Sequence, residues 1–215
     1  MKHERTPEKP YSTGEEIANS ATHGLGAALA VAGLVVLVAM AVWRHDAWRI
    51  VSFSIYGATL IILYTASTLY HAFPWPRAKR IFKILDHTSI YLLIAGTYTP
   101  ITLVALRGPW GWTLFGLIWT MAAGGILFKV FLIGRARILS VVFYIAMGWL
   151  AIVAIKPMWL LLPRAAVAWV FIGGIFYTLG VIFYAMKRLP YHHAVWHAFV
   201  LCGSMAHFFG MMIIA

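Results

Sequence analysis

Seven long apolar runs divide this chain, and short segments rich in glycine, proline and charge separate them. The runs cover residues 24–43, 50–72, 84–105, 110–132, 138–155, 165–186 and 193–215. Each is about as long as a helix that crosses the roughly 30 Å hydrocarbon core of a bilayer. The pattern predicts an all-α polytopic membrane protein, a seven-helix transmembrane bundle. We expect residues 1–12 to form a cytoplasmic tail and residues 13–215 to form a single transmembrane domain.

The composition indicates that lipid is the solvent for most of the chain. Of the 215 residues, 62% are hydrophobic and 11% are charged, and the mean hydropathy is +0.84. A soluble domain carries about 25% charged residues. The polar start, residues 1–20, lacks the basic-then-apolar pattern of a cleaved signal, so the first run is expected to remain as an anchor. We therefore expect a multi-pass protein of the plasma or inner membrane, with membrane lipids as partners.

The basic residues predict the orientation of the bundle. The net charge is +11, and the 17 lysines and arginines lie in short clusters between apolar runs. Such clusters are typical of loops that set the orientation of membrane helices and contact anionic lipid headgroups. They do not favour nucleic-acid binding. Five lie on one side: Arg44, Arg49, Arg107, Lys156 and Arg164. Twelve lie on the other: Lys2, Arg5, Lys9, Arg77, Lys79, Arg80, Lys83, Lys129, Arg135, Arg137, Lys187 and Arg188. Basic loops stay inside, which predicts a cytoplasmic N-terminus and an external C-terminus.

Asp86 is the sole acid after residue 46, and it lies near the start of the third run. An acid at membrane depth is costly, so it is a functional candidate by default. The alternative is an interfacial carboxylate paired with Lys83 or Arg80. The single cysteine, Cys202, lies inside an apolar run and is interpreted as a packing residue.

Three histidines are candidate metal ligands. His71 ends the second run, and His193 and His197, four residues apart, begin the seventh. The predicted topology places all three and Asp86 near the cytoplasmic side, and a spacing of four puts two imidazoles on one helix face. Three imidazoles with one open position are typical of a catalytic zinc site. Ser67 shares a helix face with His71.

The remaining polar residues suit other roles. His192 is rotated by about 100° from its neighbour and His207 is roughly 15 Å further along the helix, so neither is expected to share the ion. Glu16, Asn19 and His23 share one helix face, and Thr13 with Glu16 fits a capping box. That face is either a capped, solvated helix start or a polar seam that docks the first helix against the bundle.

These motifs together resemble the hemolysin III family, the bacterial branch of the progestin and adipoQ receptor superfamily that includes the adiponectin receptors. The matching pieces are Glu16-x-x-Asn19-x-x-x-His23, Ser67-x-x-x-His71, Asp86 and His193-x-x-x-His197. The resemblance covers the chain from residue 12 onward. It implies a zinc ion held by the three histidines, with Asp86 and Ser67 beside it. It also implies hydrolysis of a lipid amide or ester, because alkaline ceramidases and related receptors resemble lipid-amide hydrolases.

Three classes of function remain open at this point. The first is a membrane-embedded zinc hydrolase, in which Asp86 is the general base, Ser67 orients a ligand or the oxyanion, and an acyl chain lies between the helices. The second is a membrane-state sensor or receptor with structural zinc. The third is a transporter, pore or cytolytic factor, although few polar residues are available to line a large aqueous pore. A retinal protein is excluded, because no lysine follows Lys187 to form the Schiff base.

Overall fold

The computed structural model describes residues 11–131 and 137–215, without the Arg137 side chain, and these residues are almost entirely helical. The helices are α1 (Thr13–Trp43), α2 (Ala47–Ala72), α3 (Pro76–Pro100), α4 (Pro109–Phe131), α5 (Arg137–Gly148), α6 (Ile155–Leu161), α7 (Arg164–Ala185) and α8 (His192–Ile214). Seven helical spans in the described residues are long and apolar enough to cross a membrane, the fifth formed by α5 and α6 together. The predicted all-α seven-helix membrane bundle is confirmed. Residues 1–10 of the predicted tail, and Arg135, lie outside the described residues.

Helix α1 begins well before the apolar run that it contains. Ser12 is the N-cap: its Oγ accepts a hydrogen bond from the Glu15 amide at 3.3 Å, and Glu15 Oε2 accepts one from the Ser12 amide at 2.8 Å. This reciprocal pair is a capping box. The prediction that Thr13 and Glu16 form the box was wrong by one residue, and the difference leaves Glu16 free to face the bundle.

Two spans depart from regular α-helix, each at an identifiable residue. Pro100 ends α3, and since proline has no amide hydrogen, the chain continues as a π-helical turn over Ile101–Ala105. In the fifth span a 3₁₀ segment, Trp149–Ala154, separates α5 from α6. The Tyr98 hydroxyl of α3 donates to the Gly148 carbonyl at 2.9 Å and accepts from the Ala151 amide at 2.6 Å. One phenol thus bonds the backbone groups at this irregularity.

The helices form a ring in which the first and last spans are neighbours. Helix α1 packs on α2 and α8, α2 on α3, α3 on α4, and α7 on α8. Helix α3 is the most enclosed. In an apolar stretch of 18 residues, 72% are buried in the span that begins with α3 and 22% in α1. Polar residues on α3 therefore face the interior of the bundle. The beginnings of α1, α3 and α8 and the end of α2 meet at one end of the ring. Which end faces the cytoplasm remains a prediction from the basic residues.

Candidate metal centre

Three buried histidines meet at this end of the bundle. His71 lies in the last turn of α2, and His193 and His197 lie in the first turns of α8 on one face. One ring nitrogen of each lies within 4.8 Å of the others. The structure therefore brings together the three residues that the sequence singles out as metal ligands. Among the described residues, these histidines form the one group of three or more histidine, cysteine or acidic side chains close enough to hold a metal ion.

The bonding of these rings fits a metal ion. His71 Nε2, His197 Nε2 and both nitrogens of His193 are buried, and none has a hydrogen-bond partner among the residues that the structure describes. Leaving a buried polar nitrogen without a partner costs roughly 1–3 kcal/mol. Four such atoms at one point are costly for a purely structural cluster. A cation at the cluster would accept one lone pair from each of the three rings, and imidazole nitrogen suits zinc and several other transition metals.

Helix α1 orients two of the three rings. The Nδ1 of His71 lies 2.6 Å from Glu16 Oε2, and the Nδ1 of His197 lies 3.2 Å from the backbone carbonyl oxygen of Asn19. Both partners are acceptors, so each Nδ1 carries the proton and donates. Each Nε2 is then unprotonated and available as a ligand, the arrangement by which protein acceptors fix the tautomer of a metal-binding histidine.

The rest of the α1 face also contacts the cluster. His23 stacks on His197 with ring centroids 3.5 Å apart and an angle of 12° between the planes. Asn19 Nδ2 lies 3.4 Å from His71 Nδ1, and Lys79 of α3 forms an ion pair with Glu16. The face of α1 that carries Glu16, Asn19 and His23 is thus a polar seam against the bundle, while the helix cap lies one turn earlier at Ser12.

Asp86 and Ser67 lie near the cluster without joining it. Asp86 is buried in α3, and its Oδ2 lies 3.7 Å from Nδ1 of His87. Lys83, one turn earlier, is close enough for the two charges to interact, as the interfacial alternative requires. Ser67 is fully buried one turn before His71, and its Oγ has no hydrogen-bond partner among the described residues.

Tyr11, which directly precedes the N-cap of α1, covers the site. The sequence analysis did not single out this residue. Its ring stacks on His193 with centroids 5.1 Å apart and lies 6.0 Å from His71. Burial, and then the neighbouring Tyr70, raise the pKa of the Tyr11 phenol, which is protonated at neutral pH even without that shift. Tyr11 precedes the helix cap, where no periodic pattern signals a role. Its place over the histidines follows only from the fold.

The two histidines assigned to other roles are held by backbone carbonyls. His192 Nδ1 lies 3.2 Å from the Phe183 carbonyl oxygen, and His207 Nε2 lies 3.0 Å from that of Val170. Both therefore tie α8 to α7. Neither belongs to the three-histidine cluster.

A narrow cavity of about 160 Å³ runs from this site into the bundle. Asp86, His87, His193 and Lys129 line one part of it, and aliphatic and aromatic side chains line most of the rest. His207 also lies on its wall. The three-histidine cluster thus borders an apolar space that extends between the helices.

The comparison with known proteins decides the family. The haemolysin-III related family model matches residues 11–208, which include every residue of the site. The chain belongs to the haemolysin-III family. The hemolysin-3 homolog of Bacillus subtilis is 48% identical over 93% of each chain, and hemolysin-3 of Bacillus cereus is 49% identical over 91% of this chain and 89% of its own.

A more distant relative links this haemolysin-III family member to animal proteins. The human monocyte to macrophage differentiation factor is 28% identical over 92% of this chain and 83% of its own. This relationship agrees with the progestin and adipoQ receptor superfamily to which the motifs point. Family and seven spans together identify a multi-pass protein of the cell membrane.

Proposed function

We propose that this haemolysin-III family protein is a membrane-embedded zinc hydrolase that cleaves a lipid amide or ester. The observation that carries the proposal is the buried three-histidine cluster, whose unbonded nitrogens border an apolar cavity. When bound, zinc supplies a Lewis acid that polarises a carbonyl group and makes water a stronger nucleophile near neutral pH. His71, His193 and His197 would hold the ion, leaving a position for substrate.

The neighbouring side chains have the chemistry that such a reaction needs. Asp86 lies on the same cavity wall as His193, so its carboxylate can take a proton from the attacking water and return it to the leaving group. Ser67, whose buried hydroxyl lacks a partner among the described residues, lies one turn before His71 and can donate a hydrogen bond to the developing oxyanion. Glu16 and Asn19 keep two of the ligand rings in the required tautomer.

The surroundings favour a substrate with a long apolar part. Aliphatic positions Ile90, Leu93 and Ile94 of α3 line the cavity, and an acyl chain placed there would leave its carbonyl near the histidines. The substrate would reach this site from the bilayer, in which the helices lie.

Two measurements on purified protein test the proposal. The first is elemental analysis, for which we expect about one zinc per chain. The second is release of fatty acid from a panel of ceramides, other N-acyl lipids and lipid esters, before and after chelation and after zinc is restored. We expect release that chelation abolishes and zinc recovers. Protein with full zinc and no release from any member of the panel would instead support structural zinc in a sensor or receptor.

Cytolysis is the second candidate, and the names of the two Bacillus relatives, hemolysin-3 and its homolog, favour it. The test is leakage of dye from vesicles, and of haemoglobin from erythrocytes, on addition of purified protein. A His193→Ala, His197→Ala variant serves as the matched control. Leakage that is equal for the two proteins would separate lysis from the metal site, and absence of leakage would remove this candidate.

A further inference from the structure

Lys129 and Ser140 form a buried lysine–serine pair outside the three-histidine cluster. Lys129 lies near the end of α4 and Ser140 near the start of α5, and the two residues are 5% and 3% exposed. The Lys129 Nζ lies 3.2 Å from the Ser140 Oγ, and both residues line the cavity. A serine hydroxyl within hydrogen-bond reach of a basic nitrogen is the arrangement of an activated nucleophile. Lysine takes the place of histidine in one class of serine hydrolase.

The surroundings of Lys129 suit a base. A buried ammonium is costly, and the Ser140 hydroxyl is a neutral acceptor that does not compensate its charge. Asp86 and Lys83, both on α3, carry opposite charges and are both close enough to act on Lys129. Lysines in buried surroundings are the ones that proteins use as general bases. A proton can pass between Ser140 and Lys129 across the existing contact, without a change in the fold.

The size and lining of the cavity limit the molecule that can reach this pair. The cavity holds about 160 Å³, and most of its lining is aliphatic or aromatic. An apolar cavity of roughly 150 Å³ takes a molecule of the size of benzene. A small neutral molecule with one apolar group therefore fits beside Ser140.

We propose that Ser140 and Lys129 form a second reactive site, at which a small carboxylic ester transfers its acyl group to Ser140. The Ser140 Oγ attacks the carbonyl carbon while its proton passes to the amine of Lys129. The bond from that carbon to the alcohol oxygen breaks, and the leaving oxygen takes the proton from Lys129. Water then attacks the Ser140 ester while Lys129 accepts a proton from it. The carboxylic acid leaves, and Lys129 returns the proton to the Ser140 Oγ.

Two groups near Ser140 can stabilise the negative charge that develops on the carbonyl oxygen. One is the Lys129 ammonium, which forms as that charge appears. The other is the phenol of Tyr91 on α3, which is fully buried and interacts with Ser140. A tyrosine hydroxyl is a donor of the kind that lines oxyanion holes.

Covalent labelling of the purified full chain tests this site. The probe is phenylmethanesulfonyl fluoride, a neutral reagent with one benzene ring, which sulfonylates an activated serine and releases fluoride. We expect one adduct per chain, which mass spectrometry of peptides places on Ser140. Ser89 is the internal control: it is also buried, but its hydroxyl donates to the Asp86 carbonyl, and it should stay unlabelled.

Two substitutions of Lys129 distinguish a base from a hydrogen-bond donor. The guanidinium group of Lys129→Arg keeps the positive charge and can donate to Ser140, but it does not accept a proton. Labelling of Ser140 should therefore slow roughly 10²–10⁴-fold in Lys129→Arg as well as in Lys129→Met, the usual worth of a positioned base. Circular dichroism reports whether each variant is folded. Equal labelling rates in wild type and Lys129→Arg would overturn the role of Lys129 as a base.

The wild-type protein tests the proposal without any substitution. Phenyl acetate, an ester with the same ring, should slow the labelling of Ser140 when it is present in excess. Absence of an adduct on Ser140, or adducts spread over several serines, would refute an activated nucleophile. Labelling that phenyl acetate leaves unchanged would refute the ester as substrate.

This site and the zinc hydrolase can fail separately. Chelation should leave labelling of Ser140 unchanged, because the acyl transfer uses only Ser140 and Lys129. An adduct that disappears on chelation would assign the reactivity of Ser140 to the metal and overturn the second site. Labelled Ser140 in protein that releases no fatty acid would keep this site and remove the hydrolase. Release that chelation abolishes, in protein with no adduct on Ser140, would do the reverse.

Discussion

His192 and His193 are adjacent in the chain, yet they serve different partners. His193 faces His71 and His197, while His192 bonds the Phe183 carbonyl on α7. The helical rotation of about 100° per residue accounts for the difference. This pair makes a matched comparison for metal binding, since both are buried histidines in the first turn of α8.

Replacing the ligand histidines should remove the metal. In His193→Ala, His197→Ala only His71 of the cluster remains, and one imidazole does not hold an ion tightly, so we expect zinc content to fall from about one per chain to near zero. His192→Ala should keep its metal. Elemental analysis of the purified proteins is the measurement. Full occupancy in the double variant would contradict the ligand assignment.

Glu16 and Glu15 provide a second matched pair. Glu16→Gln removes the anion that accepts from His71 and pairs with Lys79, so we expect metal affinity to fall about 10–100-fold, the usual effect of changing a partner of a ligand histidine. Glu15 bonds no ligand histidine: its carboxylate caps α1 and accepts from the Tyr191 amide, so Glu15→Gln should leave metal affinity nearly unchanged. Competition with a chelator of known affinity measures both. An equal effect of the two changes would show that only the stability of α1 matters.

The Asp86→Asn variant distinguishes a catalytic metal site from a structural one. The amide has nearly the same shape and all three imidazoles remain, so zinc content should not change. If Asp86 is the general base, fatty-acid release should fall roughly 10²–10⁴-fold. Rates on a confirmed substrate, normalised to bound zinc, give the answer. Unchanged turnover would refute a catalytic role for Asp86.

The sequence predicts the site residues that combine rare chemistry with helical spacing. His71, His193 and His197 stand out because histidines and acids are scarce in apolar runs. Tyr11 and Lys129 do not stand out: a tyrosine before a helix cap and a lysine at the end of an apolar run are typical of a membrane interface. Their positions over the histidines and on the cavity wall depend on how the helices pack, which a single sequence does not encode in a local pattern.

At the level of helices, hydropathy predicts where the membrane segments lie better than it predicts where the helices begin and end. The third run is predicted to start at residue 84, but α3 begins at Pro76, because the turn that carries Arg77, Lys79, Arg80 and Lys83 is helical although charged. Likewise, the fifth span continues past residue 155 to Leu161, through Lys156 and Pro157. Helix propensity and capping act on residues that hydropathy assigns to loops.

Close packing at the start of α4 gives a prediction about stability. A Cβ on Gly111 would lie 2.1 Å from the Thr102 backbone carbonyl oxygen in the π-helical turn, and backbone cannot rotate away. Gly111→Ala should therefore cost on the order of 1–3 kcal/mol, as overpacking usually does, and lower the unfolding midpoint by several degrees.

Gly116→Ala is the control on the same helix. Nothing lies within 4 Å of the added methyl group there, and alanine favours helix, so its midpoint should be equal or higher. Thermal unfolding in one detergent, followed by circular dichroism, compares the two variants. A Gly111→Ala protein as stable as Gly116→Ala would show that the π-helical turn yields easily.

For the whole molecule, the seven spans follow from the sequence, while their direction in the membrane rests on the twelve-to-five distribution of basic residues. A C-terminal fusion to a phosphatase that needs export should be active, and an N-terminal fusion to the same enzyme should be inactive. Basic loops resist translocation, which is the physical reason. An inactive C-terminal fusion with normal expression would reverse the orientation.

The contact between α1 and α8 also constrains the order in which the protein is made. Asn19 and His197, which meet at the candidate metal centre, are 178 residues apart. A growing chain emerges from the N-terminus at about 5–20 residues per second, so α1 and α2 wait in the bilayer for α8. Until then His71 has no partner histidine. A metal ion that needs all three histidines can therefore bind only after α8 is inserted, and the metal content of newly made protein would report how much of it has completed insertion.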